Sequence, residues 1–289
     1  CQSARAAAAL LDRRTKRVVE NELVTFGEVE SSVPDLTALD LDLGDELALD
    51  TPTAPKEQSY LIEKADFRQW IDNYEGPRFN FVNCDFPYGI NLHESDLYDT
   101  SAREMSYEDS AELYEELCTT LSYATESVLS KSCHILFWFP MAKYQSTLRY
   151  FESQGFWVEP YPLIWGKSDK VGLTPDPVRG PRRIYETAFI MSLGDRNIVQ
   201  SVPNLVWATS DSRNKLHPSQ KSQPMLEDFL RMFIDSDSYV LDPTCGSGTA
   251  LAASISLGAK FVHGLDINED STEFATDNCR NETIKLERN

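Results

Sequence analysis

Two short stretches carry side chains whose types and spacing could do chemistry. In the first, Asp85-Phe86-Pro87-Tyr88 follows the apolar run Phe79-Asn80-Phe81-Val82. A carboxylate, a rigid imide and an aromatic ring after a buried-looking strand suit one of two roles. They make a plain proline turn, or they grip something flat that carries an amino group. In the second, Gly246-Ser247-Gly248 lies between Tyr239-Val240-Leu241 and a small-residue run from Thr249 to Leu257, and Asp266 stands 20 residues beyond Gly246. Strand, tight turn, helix, strand and acid, in that order, make a nucleoside site in a doubly wound sheet. Small residues let a ligand approach the backbone, and the acid accepts hydrogen bonds from ribose hydroxyls. The plainer alternative is a glycine turn that packs a helix on a strand. Thr249 and Ala250 stand where a third glycine of the dinucleotide fingerprint would be sought, which argues against a pyrophosphate cofactor.

The elements that must position these residues are legible in outline. Residues 4–24 are rich in Ala, Leu and Arg and read as a helix. Residues 27–56 are acidic and Pro-punctuated, a linker or arm, whose alternation of acids with Leu (LTALDLDLGDELALD) could instead dock on a partner. This divides the chain into an arm over 1–56 and a folded domain over 57–289. Within the domain, 79–84 and 133–141 read as buried strands, the second closed by Pro140. Between them a helix opens at Ser106, with Leu113, Leu117 and Leu121 on one face. A helix over 142–155 ends at Gly155, and FWVEPYPLIWGK and YETAFIMSLG supply two further strands around a Pro-, Arg- and Gly-rich loop over 172–183. Ser222 caps a helix in which Met225, Phe229, Met232 and Phe233 share a face, and strands follow over 239–241 and 261–265. This alternation predicts an α/β fold with an open, mostly parallel sheet flanked by helices.

Bulk properties bound the function classes. A chain of 289 residues can bury a full α/β core. No apolar stretch approaches the ~20 residues that span a membrane. The six cysteines, at 1, 84, 118, 133, 245 and 279, form no CxxC pair and no spacing with His, so reduced thiols and no metal site are expected. The chain begins at Cys1 without Met, which fits a processed product or an incomplete piece. The formal charge of −19 divides into +4 over residues 1–19, −10 over 20–50 and −13 over the rest. Such a balance counts against a nucleic-acid partner, but its distribution is uneven. From Glu94 to Glu126 ten acids face one base, whereas Lys167 to Lys221 holds nine bases against five acids. A polyanion would lie along the second stretch.

The segments DPTCGSGTALAASISLGAKFVHGLDIN and HPSQKSQPMLEDFLRMF, with DFPY far upstream, resemble the amino-methyltransferases of DNA. That family's signatures are a D-P-P-Y tetrad, an H-P-x-x-K-P helix start and a D-P-F-x-G-S-G-T cofactor loop. In its beta subgroup the tetrad precedes the loop, as here, and YPLIWGKSD and RRIYETAFIMSLG also look like family segments. The resemblance covers roughly 58–285 and implies a Rossmann-like methyltransferase that uses S-adenosylmethionine. It implies that Asp85, Phe86, Pro87 and Tyr88 are catalytic. Asp85 and the Phe86 carbonyl would accept the two N–H bonds of a base amine, and Tyr88 would stack on the flipped ring. Phe86 departs from the family's proline, and Phe does not fix φ. For the cofactor, Asp266 would bind the ribose, and Thr244, Cys245, Gly246 and Gly248 would line the loop. Lys221 and Ser222 would hold the cofactor's carboxylate at a helix start. Asp242 would either contact the cofactor or orient the loop, and His217 is a structural hydrogen bonder.

An acid at the first tetrad position resembles adenine-modifying enzymes, so a DNA adenine methyltransferase of restriction-modification type is expected. The alternatives are a cytosine-N4 enzyme, or a nucleic-acid-associated protein that keeps the fold with weakened catalysis. Nucleic-acid contacts are expected in a recognition segment over 167–216, from Lys167, Arg179, Arg182, Arg183, Arg213 and Lys215. The resemblance implies DNA as the partner, and the shortness of that segment leads to the expectation that a further subunit or a domain upstream of Cys1 assists specificity. The expected location is the cytoplasm of a prokaryotic or virus-infected cell.

Overall fold

The computed structural model describes residues 59–89, 109–172, 177–210 and 220–288. The expected N-terminal helix, the acidic arm, Ser106, Arg213, Lys215 and His217 all lie outside the described residues.

The strands are β1 (Tyr60–Lys64), β2 (Phe79–Cys84), β3 (Leu129–Phe139), β4 (Trp157–Val158), β5 (Leu163–Lys167), β6 (Tyr185–Leu193), β7 (Leu205–Ala208), β8 (Tyr239–Asp242) and β9 (Phe261–Asp266). They form one sheet in the order β1-β9-β8-β2-β3-β6-β5-β7, with β4 paired to β6. Neighbours from β1 through to β3 run parallel. Strand β6 is antiparallel to β3, β4 and β5, while β7 is parallel to β5. This is the open, mostly parallel sheet that the alternation of elements predicts.

Helices cover both faces. Helices α2 (Ala111–Ser127) and α3 (Tyr144–Ser153) pack with Val82, Ile135, Phe137 and Phe189 on one face. Helices α4 (Gln223–Leu230), α5 (Thr249–Ser256) and α6 (Glu269–Glu287) pack with Phe81, Trp138, Val240 and Val262 on the other. A single turn, α1 (Phe67–Trp70), follows β1 and is capped by the Asp66 side chain. Leu117 and Leu121 are buried, as the four-residue spacing requires, and the helix is capped by Ser110, which accepts from the Leu113 amide. Strand β3 begins at Leu129, four residues earlier than its apolar run suggests. Helix α4 is shorter than expected, ending at Leu230, and Ser222 occupies its N-cap position without a side-chain capping bond.

Besides the single turn α1, three elements escape a reading of the sequence. Strand β7 alternates half-buried with exposed residues. Strand β1 is an edge strand of only five residues. Helix α6 buries Thr272, Ala275, Cys279 and Glu282, a 3.6-residue stripe without large apolar side chains, so its hydrophobic period is faint.

The register of β2 decides which face each of its side chains takes. Its pairing with β3 shifts between Phe79 and Phe81. Phe79 therefore joins the core under α2, while Phe81, two residues on, joins the core under α4. From that irregularity onward the residues alternate regularly, since successive strand side chains point to opposite faces. Val82 and Cys84 join Phe79's core, and Asn83 bonds to Trp138 and Asp242 on the other side.

Candidate active site

Strands β8 and β2 lie side by side at the centre of the sheet. From β8 the chain crosses through α5 to β9, and from β2 through α2 to β3, in opposite directions along the sheet. The crevice beyond their carboxyl ends is a topological switch point, where open α/β sheets bind ligands. Both stretches singled out from the sequence arrive there. Asp242 closes β8 and Asp85 follows β2 directly. The Thr244 hydroxyl donates to the Asp85 carbonyl at 3.2 Å and ties the two loops together.

In the tetrad, the odd residue has a packing role. The Phe86 ring is 1% exposed and sits in the core under α2, 5.7 Å from Phe137 and 6.4 Å from Phe67 between centroids. A side chain held in the core supplies the anchoring that a proline ring would give through φ. Tyr88 is half-buried, and its hydroxyl donates to Asp85 Oδ1 at 3.3 Å. Burial, with the Asp85 and Glu186 charges, pushes its phenol well above the ordinary range, so it stays a donor. Gly89, with φ of +61°, donates its amide to Asp109 at 2.6 Å. A Cβ there would stand 2.8 Å from the Ala111 Cα, so the loop closes on the start of α2 only with glycine.

Asp85 is not alone. Lys221 Nζ donates to Asp85 Oδ2 at 2.6 Å and lies 3.2 Å from Glu186 Oε2. Lys167 Nζ takes the other oxygen of Glu186 at 2.7 Å. Each ammonium also rests on an indole, Lys221 on Trp138 at 4.4 Å and Lys167 on Trp165 at 4.9 Å. The Lys221 side chain is 7% exposed and that of Asp85 is 26% exposed, so the carboxylate is the member that opens outward. Burial raises the Asp85 carboxyl, with Lys221 opposing and the Glu186 charge adding. Burial would raise Glu186 as well, but Lys221 and Lys167 outweigh it and hold that group at about 2. Burial disfavours the Lys221 ammonium, yet Asp85 and Glu186 prevail and raise its pKa. Of the two acids, Asp85 is the one whose charge burial weakens.

The sequence points Lys221 to a cofactor carboxylate and Lys167 to nucleic acid. In the structure both ammonium groups pair with carboxylates of this chain and lie over indole rings. Glu186 itself was missed. Its signal was present: a lone acid ahead of the apolar run of β6 must be solvated or paired. Asn83 and Trp138 were also missed. Trp138 Nε1 donates to Asn83 Oδ1 at 3.2 Å, and Asn83 Nδ2 donates to Asp242 Oδ2 at 2.8 Å.

The cofactor loop is built from glycine conformations and carboxylates. Gly248 has φ of +72°, and a Cβ there would stand 2.8 Å from the Ala275 Cα of α6. Gly246 has φ of +51°, but the space a Cβ would take is open. One glycine therefore lets a helix approach and the other leaves room for a ligand. The Gly246 amide donates to Asp266 Oδ2 at 3.0 Å and the Asn268 amide to Oδ1 at 2.8 Å. Each oxygen keeps a second lone pair for hydroxyls. Asp242, 2% exposed, accepts from Asn83 and from the Thr244 amide at 3.3 Å. Burial nevertheless pushes it up to about 7, and the Asp85 and Asp266 charges add to the effect. Cys245 is buried, and its thiol is pushed well above the ordinary range by burial. Three carboxylates around an open glycine fit S-adenosylmethionine, a nucleoside with two hydroxyls and a cationic sulfur.

Arg179, Arg182 and Arg183 are exposed on the loop before β6, and Arg182 donates to the Gly172 carbonyl at 3.4 Å. Among the described residues no group of His, Cys, Asp or Glu could hold a metal ion, and no helix is long and apolar enough to cross a membrane.

Comparison with known proteins agrees with this geometry. The fold is similar to that of M1.HpyAVI in its SAM complex, with a TM-score of 0.59 and 17% identity over 76% of this chain and 98% of that one. It is similar to the PvuII DNA methyltransferase (cytosine-N4-specific), with a TM-score of 0.57 and 13% identity over 76% and 86%. A putative DNA modification methylase of Thermus thermophilus gives 0.54 and 17% over 77% and 95%. In sequence, 111 residues are 28% identical to the ribosomal protein L11 methyltransferase of Thermotoga maritima, covering 37% of this chain and 39% of that protein. A stretch of 85 residues is 28% identical to the putative methylase YubD of Escherichia coli K12, covering 29% and 37%. The chain thus spans about two fifths of the length of these curated relatives. The fold is that of the Rossmann-like, S-adenosylmethionine-dependent methyltransferases. The sequence pattern of a family described as DNA methylase, which comprises N6 and N4 methyltransferases, matches residues 79–277, and the chain belongs to that family.

Proposed function

We propose that the chain methylates the exocyclic amino group of an adenine flipped out of DNA. The observation that carries this reading is the Asp85 carboxylate, partly open and bonded to a nitrogen donor, on a residue whose main-chain carbonyl is tied through Thr244 to the cofactor loop. A base amine is a weak nucleophile because its lone pair is delocalised into the ring. Asp85 accepts one N–H, and the Phe86 carbonyl accepts the other. The nitrogen is drawn toward tetrahedral geometry, and its lone pair is concentrated. S-adenosylmethionine, when bound, supplies a methyl group on a positively charged sulfur that leaves as a neutral thioether. The nitrogen that has gained a carbon carries one proton too many, and the buried Asp85 is placed to take it. Tyr88 packs beside the ring, and the few kcal/mol of unstacking are offset by pocket contacts. Asp266 holds the ribose, and Asp242 orients the loop through Thr244. The exposed arginines before β6 hold phosphates or read base edges. The Asp at the first tetrad position favours adenine over cytosine.

The test is methyl transfer from labelled S-adenosylmethionine to mixed-sequence DNA, followed by nucleoside mass analysis, with wild type and Asp85→Ala side by side. N6-methyladenine from wild type alone supports the reading. N4-methylcytosine replaces it with the cytosine reaction. No methylated base, with the cofactor bound, overturns both and leaves a methyltransferase fold without transfer.

A further inference from the structure

The Asp85 oxygen to which a target amine would donate accepts from a nitrogen donor of this chain. Asp85 Oδ2 accepts from Lys221 at 2.6 Å, and Oδ1 accepts the longer bond from Tyr88 at 3.3 Å. The same ammonium lies 3.2 Å from Glu186 Oε2, an oxygen that Lys167 leaves to it by using Oε1. The indole of Trp138 lies beneath the ammonium, 4.4 Å from its centroid. Resting on that ring between two carboxylates, Lys221 Nζ has a second acceptor within reach when its bond to Asp85 is broken.

We propose that Lys221 is a stand-in for the target amine, bonded to the Asp85 carboxylate until a base arrives, and that Glu186 is the carboxylate that then receives the ammonium. This rests on the amino-methyltransferase reading and adds two positioning residues to it. An arriving N–H replaces the Lys221 N–H on Asp85, and the ammonium shifts to Glu186 without leaving its compensating charges. That matters because a buried ammonium stripped of partners is costly. The shift also serves the reaction. As the amine gains a carbon it becomes positive, and an ammonium still bonded to Asp85 would oppose that charge and cancel the carboxylate meant to stabilise it. Glu186 draws it away. Before the base arrives Lys221 has the opposite use, since it keeps a buried acid ionised and ready to accept.

The groups that face Asp85 are Lys221 from the segment before α4, Glu186 from β6, Tyr88 from its own loop, Cys84 from β2 and Asp242 from β8. Lys167, on β5, acts only through Glu186. With these in place the two positioning residues have opposite signs. Removing Lys221 takes away a cation bonded to Asp85, and removing Glu186 takes away a like charge.

The experiment is the pH dependence of methyl transfer for wild type, Lys221→Met and Glu186→Gln. In parallel, the Asp85 carboxyl is titrated by carbon NMR in the cofactor-free proteins. Lys221→Met is expected to move the acid limb and the carboxyl titration upward by about 1–3 pH units, the effect of losing an adjacent opposite charge. Glu186→Gln is expected to move both downward and to lower kcat by about tenfold at nearly constant KM for DNA, because the ammonium then stays on Asp85. Shifts in the same direction in both variants, or none in either, overturn the proposal. If Lys221→Met does not fold, the downward shift and the kcat loss in Glu186→Gln decide alone. If wild type makes no methylated base at any pH, the functional reading falls, and the carboxyl titration still shows whether Lys221 holds Asp85.

Discussion

Asp85, Asp242 and Asp266 stand at the carboxyl ends of three consecutive strands, β2, β8 and β9, yet they are held in different ways. Asp266 accepts main-chain amides from Gly246 and Asn268. Asp242 is buried and shares one side-chain amide and one main-chain amide. Among the described residues, the Asp85 carboxylate accepts only from side chains, Lys221 and Tyr88. A main-chain amide cannot leave without unfolding its turn, so Asp266 is a fixed fitting that offers its remaining lone pairs to hydroxyls. A lysine on a flexible stem can leave, so the Asp85 bonds are exchangeable. The ribose site is built to be constant, and the amine site to change partners during one cycle.

Changes that cut at this contrast should differ in size and kind. Asp85→Ala removes a group needed as charge develops and should lower methyl transfer on the order of a thousandfold, with cofactor affinity unchanged. Single-turnover kinetics beside equilibrium binding would check it, and a loss confined to cofactor affinity would contradict the division of labour. Phe86→Ala empties a core position and should cost about 3 kcal/mol or more in urea unfolding, with Phe86→Leu costing much less. If both variants were as stable as wild type, the ring would not be anchoring the tetrad. Asp266→Ala should weaken cofactor binding by about 1.5–3 kcal/mol, the range for hydrogen bonds to a charged group, and leave kcat at saturating cofactor nearly intact. A large fall in kcat would show that the ribose carboxylate also acts on the transfer step.

The smallest effect concerns Asp242, whose carboxyl sits at about 7 in the folded protein. Because that value is raised, the folded state holds a proton that the unfolded chain releases in the ordinary carboxyl range. Stability therefore falls as pH rises between the two values and levels off above the folded one. Between roughly pH 6 and 8 the loss should be about 1 kcal/mol, or about 2–4 °C in Tm for a domain of this size. Asp242→Asn should flatten that slope, which calorimetry of the cofactor-free protein would measure. An unchanged slope would mean that another group titrates there.

The glycine loop could be read from the sequence because its geometry is local. Gly246 and Gly248 adopt positive φ within one turn, and Asp266 reaches that turn from the next strand of a single strand–helix–strand unit. The buried strands were also plain, being runs of apolar, aromatic and β-branched residues. Helix α6 was not, because its buried stripe is Thr, Ala, Cys and Glu. Strand β7 was not, because it lies at a half-covered edge. The tetrad could be located but not understood, since its four residues do not say what bonds to them. The missing partners, Lys221 and Glu186, lie far along the chain, Lys221 being 136 residues from Asp85.

By itself the sequence determined the α/β alternation, the order of the tetrad before the glycine loop, and the residues that make each turn. These follow from periodicity and backbone preference, which act over a few residues. Only the tertiary structure decided which way the tetrad faces and what holds its carboxylate. The irregularity between Phe79 and Phe81 sets the face, because a one-residue slip sends every later side chain of a strand to the opposite side. Burial then decides the partners. A pocket that takes two acids out of water must bring two ammonium groups with them, and residues from β5, β6 and the segment before α4 meet there because the folded sheet places them side by side.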